Sequence, residues 1–174
     1  MQKALVGLVI GLCASSLGAQ FARVRVWPPW YQTQLALDTI GPPSMIAAAS
    51  GKTFRAVVAA FDEIKIPLDT RDSLGGVVGN LNLVRTHNMA GSQMSRWFNC
   101  GTGITGPNAD NWRLYIAVAA LLDRVGADTT RIRIGMVAGA QDMQGNSKEP
   151  VMCSTSGALE SRLLELTKAR ASAP

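Results

Sequence analysis

The sequence predicts an α+β domain, a small antiparallel sheet of about four strands with helices packed on one face, preceded by an extended N-terminal arm. Apolar residues recur at helical spacing from Phe54 to Phe61, while four later segments show the alternation of paired strands. Segments of these two kinds interleave along the chain. With 174 residues, 47% of them hydrophobic, the chain has room for one domain with a substantial core.

Residues 1–19 have the layout of a secretory signal peptide, with Lys3 near the start, an apolar stretch from Ala4 to Cys13 and a small-residue exit. The stretch is shorter than the roughly 20 residues that a membrane-spanning helix needs. We therefore expect cleavage near Ala19, with a retained anchor as the alternative. Leu12 precedes Cys13 where a lipid-attachment motif requires a small residue, so no lipid is expected there. The predicted location is the periplasm, peripheral on a membrane.

The cysteine count supports one disulfide bond. Loss of Cys13 with the signal peptide leaves Cys100 and Cys153 in a chain sent to an oxidising compartment. Such a pair most simply forms a disulfide, which we predict here; two unpaired buried thiols are the alternative. Closing a loop of this length would add about 4 kcal/mol to the free energy of unfolding.

Residues 20–51 are predicted to form an extended aromatic and proline-rich arm, because they hold tandem prolines and show no convincing helical period, apart from a possible short helix over 45–50. In polyproline II, three residues make one turn, so Trp27 and Trp30 would project from the same side. Tryptophan and tyrosine give large contact area at protein interfaces and in bilayer headgroup layers; packing on the chain's own domain is the alternative. The predicted interaction arm comprises Arg23, Arg25, Trp27, Pro28, Pro29, Trp30 and Tyr31.

The predicted α+β domain spans residues 52–174. Its first helix is indicated by apolar residues at i, i+3, i+4 and i+7, namely Phe54, Val57, Val58 and Phe61. Pro67 bounds this helix, and Ser50 is a candidate cap. Alternation over 64–69 and again over 77–83, around a polar turn that ends in two glycines, predicts two strands.

The second half of the domain repeats this order. The spacing of Met94, Trp97 and Phe98 predicts a helix that ends at Cys100. Residues 112–122 alternate and are predicted as a strand, although a helix capped by Asn111 is the alternative because alanine and leucine are strong helix formers. Residues 131–137 alternate cleanly after a turn and pair with them. A last helix is predicted over 158–169, with leucines on its apolar face.

No motif supports catalysis or cofactor binding. Residues 101–106, GTGITG, match a dinucleotide fingerprint but lack its preceding strand and following helix. Residues 50–53, SGKT, lack the leading glycine of a phosphate-binding loop. His87 is the only histidine and has no nucleophile motif near it, and the carboxylates over 62–72 are interleaved with basic residues as on a solvated face. We therefore expect no enzyme activity, no cofactor, no nucleotide and no metal site.

The charge distribution narrows the class of partner. The formal net charge is +5, from 17 Lys and Arg against 12 Asp and Glu, and no run of four basic residues occurs. A nucleic-acid footprint is therefore not expected. A mildly cationic exported protein is better matched to anionic lipid headgroups or to an acidic protein surface.

The stretch FRAVVAAFDEIKIPLDTRDSLGGVVGN, residues 54–80, resembles the start of small envelope modules of Gram-negative bacteria. In these, a helix with an A-V-x-x-A core precedes a strand, an Asp-containing turn and a glycine-opened second strand. Subunits of outer-membrane assembly machinery and many secreted proteins share this pattern. The resemblance implies a periplasmic, non-catalytic module, although the missing lipid-attachment motif departs from the lipoprotein members.

These observations together predict an exported structural or assembly subunit. Its arm would dock on the periplasmic face of an integral membrane complex of the respiratory, photosynthetic or outer-membrane assembly kind. The alternative is a periplasmic protein that binds a small ligand or a lipid in a cleft between sheet and helices. A hydrolase is the third possibility.

Overall fold

The computed structural model describes residues 24–26, 33–145 and 149–173. The predicted signal peptide lies outside these ranges, as do residues 20–23 and 27–32 of the predicted arm. The strands are β1 Arg25–Val26, β2 Leu35–Ala36, β3 Pro43–Ile46, β4 Thr70–Asp72, β5 Val77–Arg85, β6 Asn88–Met89, β7 Ser92–Gln93, β8 Phe98–Asn99, β9 Thr102–Gly103, β10 Gly106–Pro107, β11 Arg113–Arg124, β12 Thr130–Gln141 and β13 Val151–Thr155. The α-helices are α1 Ser50–Glu63, α2 Asn108–Asn111 and α3 Ala158–Ser172, and 3-10 turns span Leu37–Thr39 and Met94–Arg96.

A seven-stranded antiparallel sheet forms the centre of the fold. Its order is β4-β5-β11-β12-β13-β8, and β3 pairs with β12 beside β13. The long hairpin of β11 and β12 lies in the middle, in continuous register from Arg113 opposite Gln141 to Arg124 opposite Thr130. On its far edge, β12 pairs with β3 through Arg133 and with β13 from Ala138. This edge is therefore forked.

Helices α1 and α3 pack against each other and against one face of the sheet, which we call the helix side. The predicted spacing of α1 is confirmed, since Val57 and Phe61 are buried in the helix-side core. In α3, Leu159 and Leu163 are buried in the same core. The strand prediction for 112–122 is also confirmed, because β11 alternates its side chains between the two faces of a sheet rather than around a helix.

The predicted sheet of about four strands is too small. The strands that sequence analysis missed are β3, β8 and β13, which hold four, two and five residues. Strands this short show too few alternations to produce a recognisable period. Residues 45–50 were predicted as a short helix, but they enter β3 and then begin α1; Ala49, not Ser50, is the N-cap residue.

The strand predicted over 64–69 lies further along the chain, at β4. Helix α1 ends in a Schellman-type motif, in which the Lys65 N–H donates to Asp62 O and the Ile66 N–H donates to Phe61 O, both at 3.0 Å. Lys65 takes the left-handed conformation, φ 59°, that this motif needs. The alternation of buried Ile64 and Ile66 with exposed Lys65 therefore results from a helix end, not from a strand.

The helix predicted to end at Cys100 is also wrong. A 3-10 turn over Met94–Arg96 is followed by β8, and the indole N–H of Trp97 donates to Met89 O at 2.9 Å. Met94, Trp97 and Phe98 are each at most 1% exposed. One turn followed by extended chain buries these three side chains as completely as a helix would.

Candidate functional site

The face of the sheet opposite the helices, which we call the outer face, carries its own apolar cluster. Buried members on the sheet are Val77, Ala117, Ala119 and Leu121. The segment around β1 and β2 covers them, because Val24, Val26 and Leu37 are each at most 6% exposed. Gly135 permits this contact: a Cβ there would lie 2.6 Å from the Leu37 carbonyl oxygen. The N-terminal segment thus closes one half of the outer face.

The other half of the outer face carries a row of register partners from four strands. Val84 lies opposite Tyr115, Tyr115 opposite Gly139, and Gly139 opposite Met152. Val84 is 44% exposed and Met152 39% exposed. Leu81 and Val137 are partly buried behind them. We call these five apolar side chains the apolar platform: Leu81, Val84, Tyr115, Val137 and Met152.

A groove of about 400 Å³ lies in this platform. Its walls include Arg25 and Val26 of β1 on one side and Leu81 to Val84 of β5 on another. The pairing of β5 with β11 shifts register between Ile116 and Val118, so that β5 carries an extra residue there. The Leu81 N–H at this bulge donates to both carboxylate oxygens of Asp69 at 3.0 Å. Bulges bend a strand and redirect its side chains, which is consistent with a depression at this point.

The structure places one residue of the predicted interaction arm. Arg25 is exposed in β1, where it pairs with Ala36 and lines the groove. The other six, Arg23, Trp27, Pro28, Pro29, Trp30 and Tyr31, lie outside the described residues. The aromatic stretch follows directly after Val26, which itself lines the groove.

Cys100 and Cys153 form a disulfide, with an S–S distance of 2.06 Å. Cys153 lies in β13 and points to the helix-side core, while Cys100 directly follows β8. The bond therefore ties the outermost strand on this side of the sheet to its neighbour. The predicted pairing is present.

The glycine-rich motif forms a small hairpin rather than a phosphate loop. Strands β9 and β10 pair, with Gly103 opposite Gly106, and fully exposed Ile104 lies at the tip. The Asn108 side chain donates to Cys100 O at 3.1 Å, which holds the hairpin beside the disulfide. Residues 50–53 form the first turn of α1, and the Thr53 hydroxyl is buried against Ala49 O at 3.2 Å.

His87 and the carboxylates have structural contacts in the fold. His87 takes φ 63°, and its Nδ1 donates to Asp110 O at 2.7 Å. Asp72 accepts the Leu74 and Gly75 N–H groups of the turn after β4. Glu63 pairs with Arg170 of α3. In the described ranges, no group of three or more His, Cys, Asp or Glu side chains is placed to hold a metal ion.

Neither a protein-family model nor a curated protein matches the sequence. Among the described residues, no helix combines the length and apolarity needed to cross a bilayer.

The apolar platform could not be recognised from the sequence, because its members come from four strands and meet only through the register of the sheet. One signal pointed to it. Alternation assigns Leu114, Ile116 and Val118 to one face, but the residues between them are also apolar, whereas a strand with one face in water would have polar residues there. Such a run indicates that both faces of the strand carry apolar contacts.

Proposed function

We propose that this chain is an exported, non-catalytic structural or assembly subunit, membrane-extrinsic, that docks on the periplasmic face of an integral membrane complex through the apolar platform and the aromatic arm that follows β1. The observation that carries the proposal is the exposure of Val84 and Met152 in one row with Tyr115. Tyrosine and methionine are enriched at protein interfaces, and contiguous exposed apolar surface marks such sites.

The shape of the platform favours a macromolecular partner. Gly139 lies between Tyr115 and Met152 in the row and is itself buried, so a partner would meet the side chains of Tyr115 and Met152 rather than the strand backbone between them. A tyrosine ring gives a large contact area, and the flexible thioether of a methionine adapts to the shape of a partner surface.

Basic residues border the platform. Arg25 lines the groove, and Arg113 lies on the same face as Tyr115, two residues away in β11. Arginines at a rim steer association with acidic surfaces and with anionic lipid headgroups more than they add to affinity. This supports a partner at a membrane surface and agrees with the net charge of +5.

The platform can be tested by charge insertion. The double variant Val84→Glu with Met152→Glu places two carboxylates in the apolar row, while Val125→Glu, at a 55% exposed valine in the turn after β11, is the matched control. Tagged proteins would be extracted from membranes of the native host in mild detergent. We expect wild type and control to copurify with the same membrane complex and the double variant to lose it, with melting temperatures within about 2 °C. Retention of the complex by the double variant would refute the platform as the docking surface.

The aromatic arm is tested separately with Trp27→Ala and Trp30→Ala together. Truncation of a well-buried interface tryptophan commonly costs about 2 kcal/mol, or roughly thirtyfold in affinity. We expect release of the complex with a nearly unchanged melting temperature. If the isolated protein melts far earlier and still binds the complex, the tryptophans belong to the chain's own core.

The groove also favours a second candidate, a periplasmic protein that binds a small ligand or a lipid. Its volume of about 400 Å³ falls within the roughly 300–1,000 Å³ of ordinary ligand pockets. Native mass spectrometry of detergent-free protein distinguishes the two. A bound lipid that Val137→Trp displaces would favour this candidate, whereas an empty protein that recovers its membrane complex favours the first.

A further inference from the structure

A second cavity lies on the helix side, at the fork in the edge of β12. Strand β3 leaves this edge after Arg133 and β13 joins it at Ala138, so residues 134–137 have no strand partner there among the described residues. The first turn of α3 lies next to the gap. The resulting cavity has a volume of about 420 Å³ and is separate from the outer-face groove.

The lining of this cavity divides into an apolar part and a hydroxyl part. Ile132 and Ile134 belong to the helix-side core, and Leu164 of α3 extends the same apolar wall. Hydroxyl groups are supplied by Ser44, Thr155, Ser156 and Ser161. A ligand that fits would combine a short hydrocarbon chain with a polar head.

Glu160 also lines the cavity and is the residue that indicates the charge of that head. Glu160 is partly exposed, so its carboxylate can be reached from the cavity, while its Oε2 is closed off from solvent and has no hydrogen-bond partner among the described residues. A glutamate three residues after the N-cap usually accepts the N-cap N–H in a capping box. Here the N-cap is Gly157, and the helix start is instead capped by Ser156, whose Oγ accepts the Ala158 N–H at 3.3 Å.

A buried carboxylate oxygen without a donor is costly, and a charged donor compensates best. The ion pairs that the structure gives in its described ranges join Arg131 with Asp123 and Arg170 with Glu63, so neither neutralises Glu160. We propose that this cavity binds a primary alkylammonium group, with Glu160 as the charged acceptor, the serine hydroxyls as further acceptors and the isoleucine wall in contact with the alkyl chain.

The position of the cavity makes the role of Glu160 testable. The N-terminal end of a helix carries partial positive charge, which disfavours a cation. Affinity for an ammonium group must therefore come mainly from the Glu160 carboxylate. Removing that charge while keeping its shape should abolish the preference for a cation over a neutral analogue.

The experiment is a titration of the ¹⁵N-labelled protein with n-butylammonium, and with n-butanol as the neutral analogue of the same shape. We expect n-butylammonium to shift the amide signals of Ser44 and residues 156–161 in a saturable way, and butanol to do so at least about tenfold more weakly. Glu160→Gln should weaken n-butylammonium binding by a similar factor. Glu165→Gln, at an exposed glutamate of the same helix, should leave it unchanged.

Ser161→Phe keeps the test valid if Glu160→Gln folds poorly, because it places a ring at the exposed serine of the cavity lining and leaves the carboxylate intact. It should block n-butylammonium. If N-acetyl-lysine amide also binds, a lysine side chain of a partner protein is a source of the ammonium group. If only n-butylammonium binds, the source is a free amine. Equal binding of butanol, or unchanged binding by Glu160→Gln, would overturn the proposal.

Discussion

Removal of the disulfide should lower the stability of the domain by a predictable amount. The bond joins positions 53 apart, and the loop that it closes contains the whole β11–β12 hairpin. On the chain-entropy model, a loop of this length stabilises the folded state by about 4 kcal/mol. A domain of this size loses roughly 2–4 °C in melting temperature for each kcal/mol, so we expect a fall of roughly 8–16 °C.

The variant to use is Cys100→Ala with Cys153→Ala. Both side chains are at most 9% exposed, and alanine avoids the buried hydroxyl that serine would introduce. Thermal unfolding followed by circular dichroism measures the change, and wild type in reductant should melt close to the double variant. A fall of less than about 2 °C in both would show that the loop is already constrained without the bond, and would refute the entropic account.

Three further changes test the fold and the non-catalytic interpretation. Gly79→Ala should lower the free energy of unfolding by more than about 1 kcal/mol, because its Cβ would lie 2.2 Å from Val118 O. Gly126→Ala, whose Cβ has room, is the control. Equal urea midpoints for the two variants would contradict this prediction. His87→Asn should fold and should restore function in a complementation assay, since asparagine tolerates the positive φ of this position. Loss of function in a protein that still folds would instead support a catalytic role for His87. Asn80→Leu should lower the free energy of unfolding, measured in urea, by about 1–3 kcal/mol, because it leaves Pro67 O and the Asn82 N–H without their partner. An unchanged urea midpoint would show that water replaces the side-chain amide.

Sequence periodicity predicted the long elements well and the short ones poorly. Helix α1 and strands β11 and β12 each hold at least twelve residues, so their periods repeat often enough to be recognised. Residues 94–98 carry helical spacing over barely one turn, which a 3-10 turn satisfies equally well. Lys65 shows the same ambiguity, because a Schellman motif and a strand produce the same local alternation of buried and exposed residues.

The candidate sites were harder to predict for a different reason. The disulfide followed from counting cysteines, and no spatial information was needed. The apolar platform depends on strand register, which places Val84 and Met152 in one row although 67 residues of sequence separate them. In the sequence, Glu160 resembles any glutamate in the first turn of a helix. Only its buried oxygen without a hydrogen-bond partner distinguishes it from them.

The order of the strands has a consequence for how the protein associates. The strands at the edges of the sheet, β3, β4 and β8, hold only four, three and two residues, and β4 exposes Arg71 and Asp72. Short edge strands offer few free backbone groups to a strand from another molecule, and charged residues such as those of β4 further disfavour its addition. Of the long strands, β11 is paired on both sides, while in the described ranges β12 lacks a strand partner on one edge over 134–137, and β5 only beyond Gly79, where it is bulged. Strand addition at the short edges would form few hydrogen bonds, which favours association through side-chain contacts on the broad faces, including the outer face.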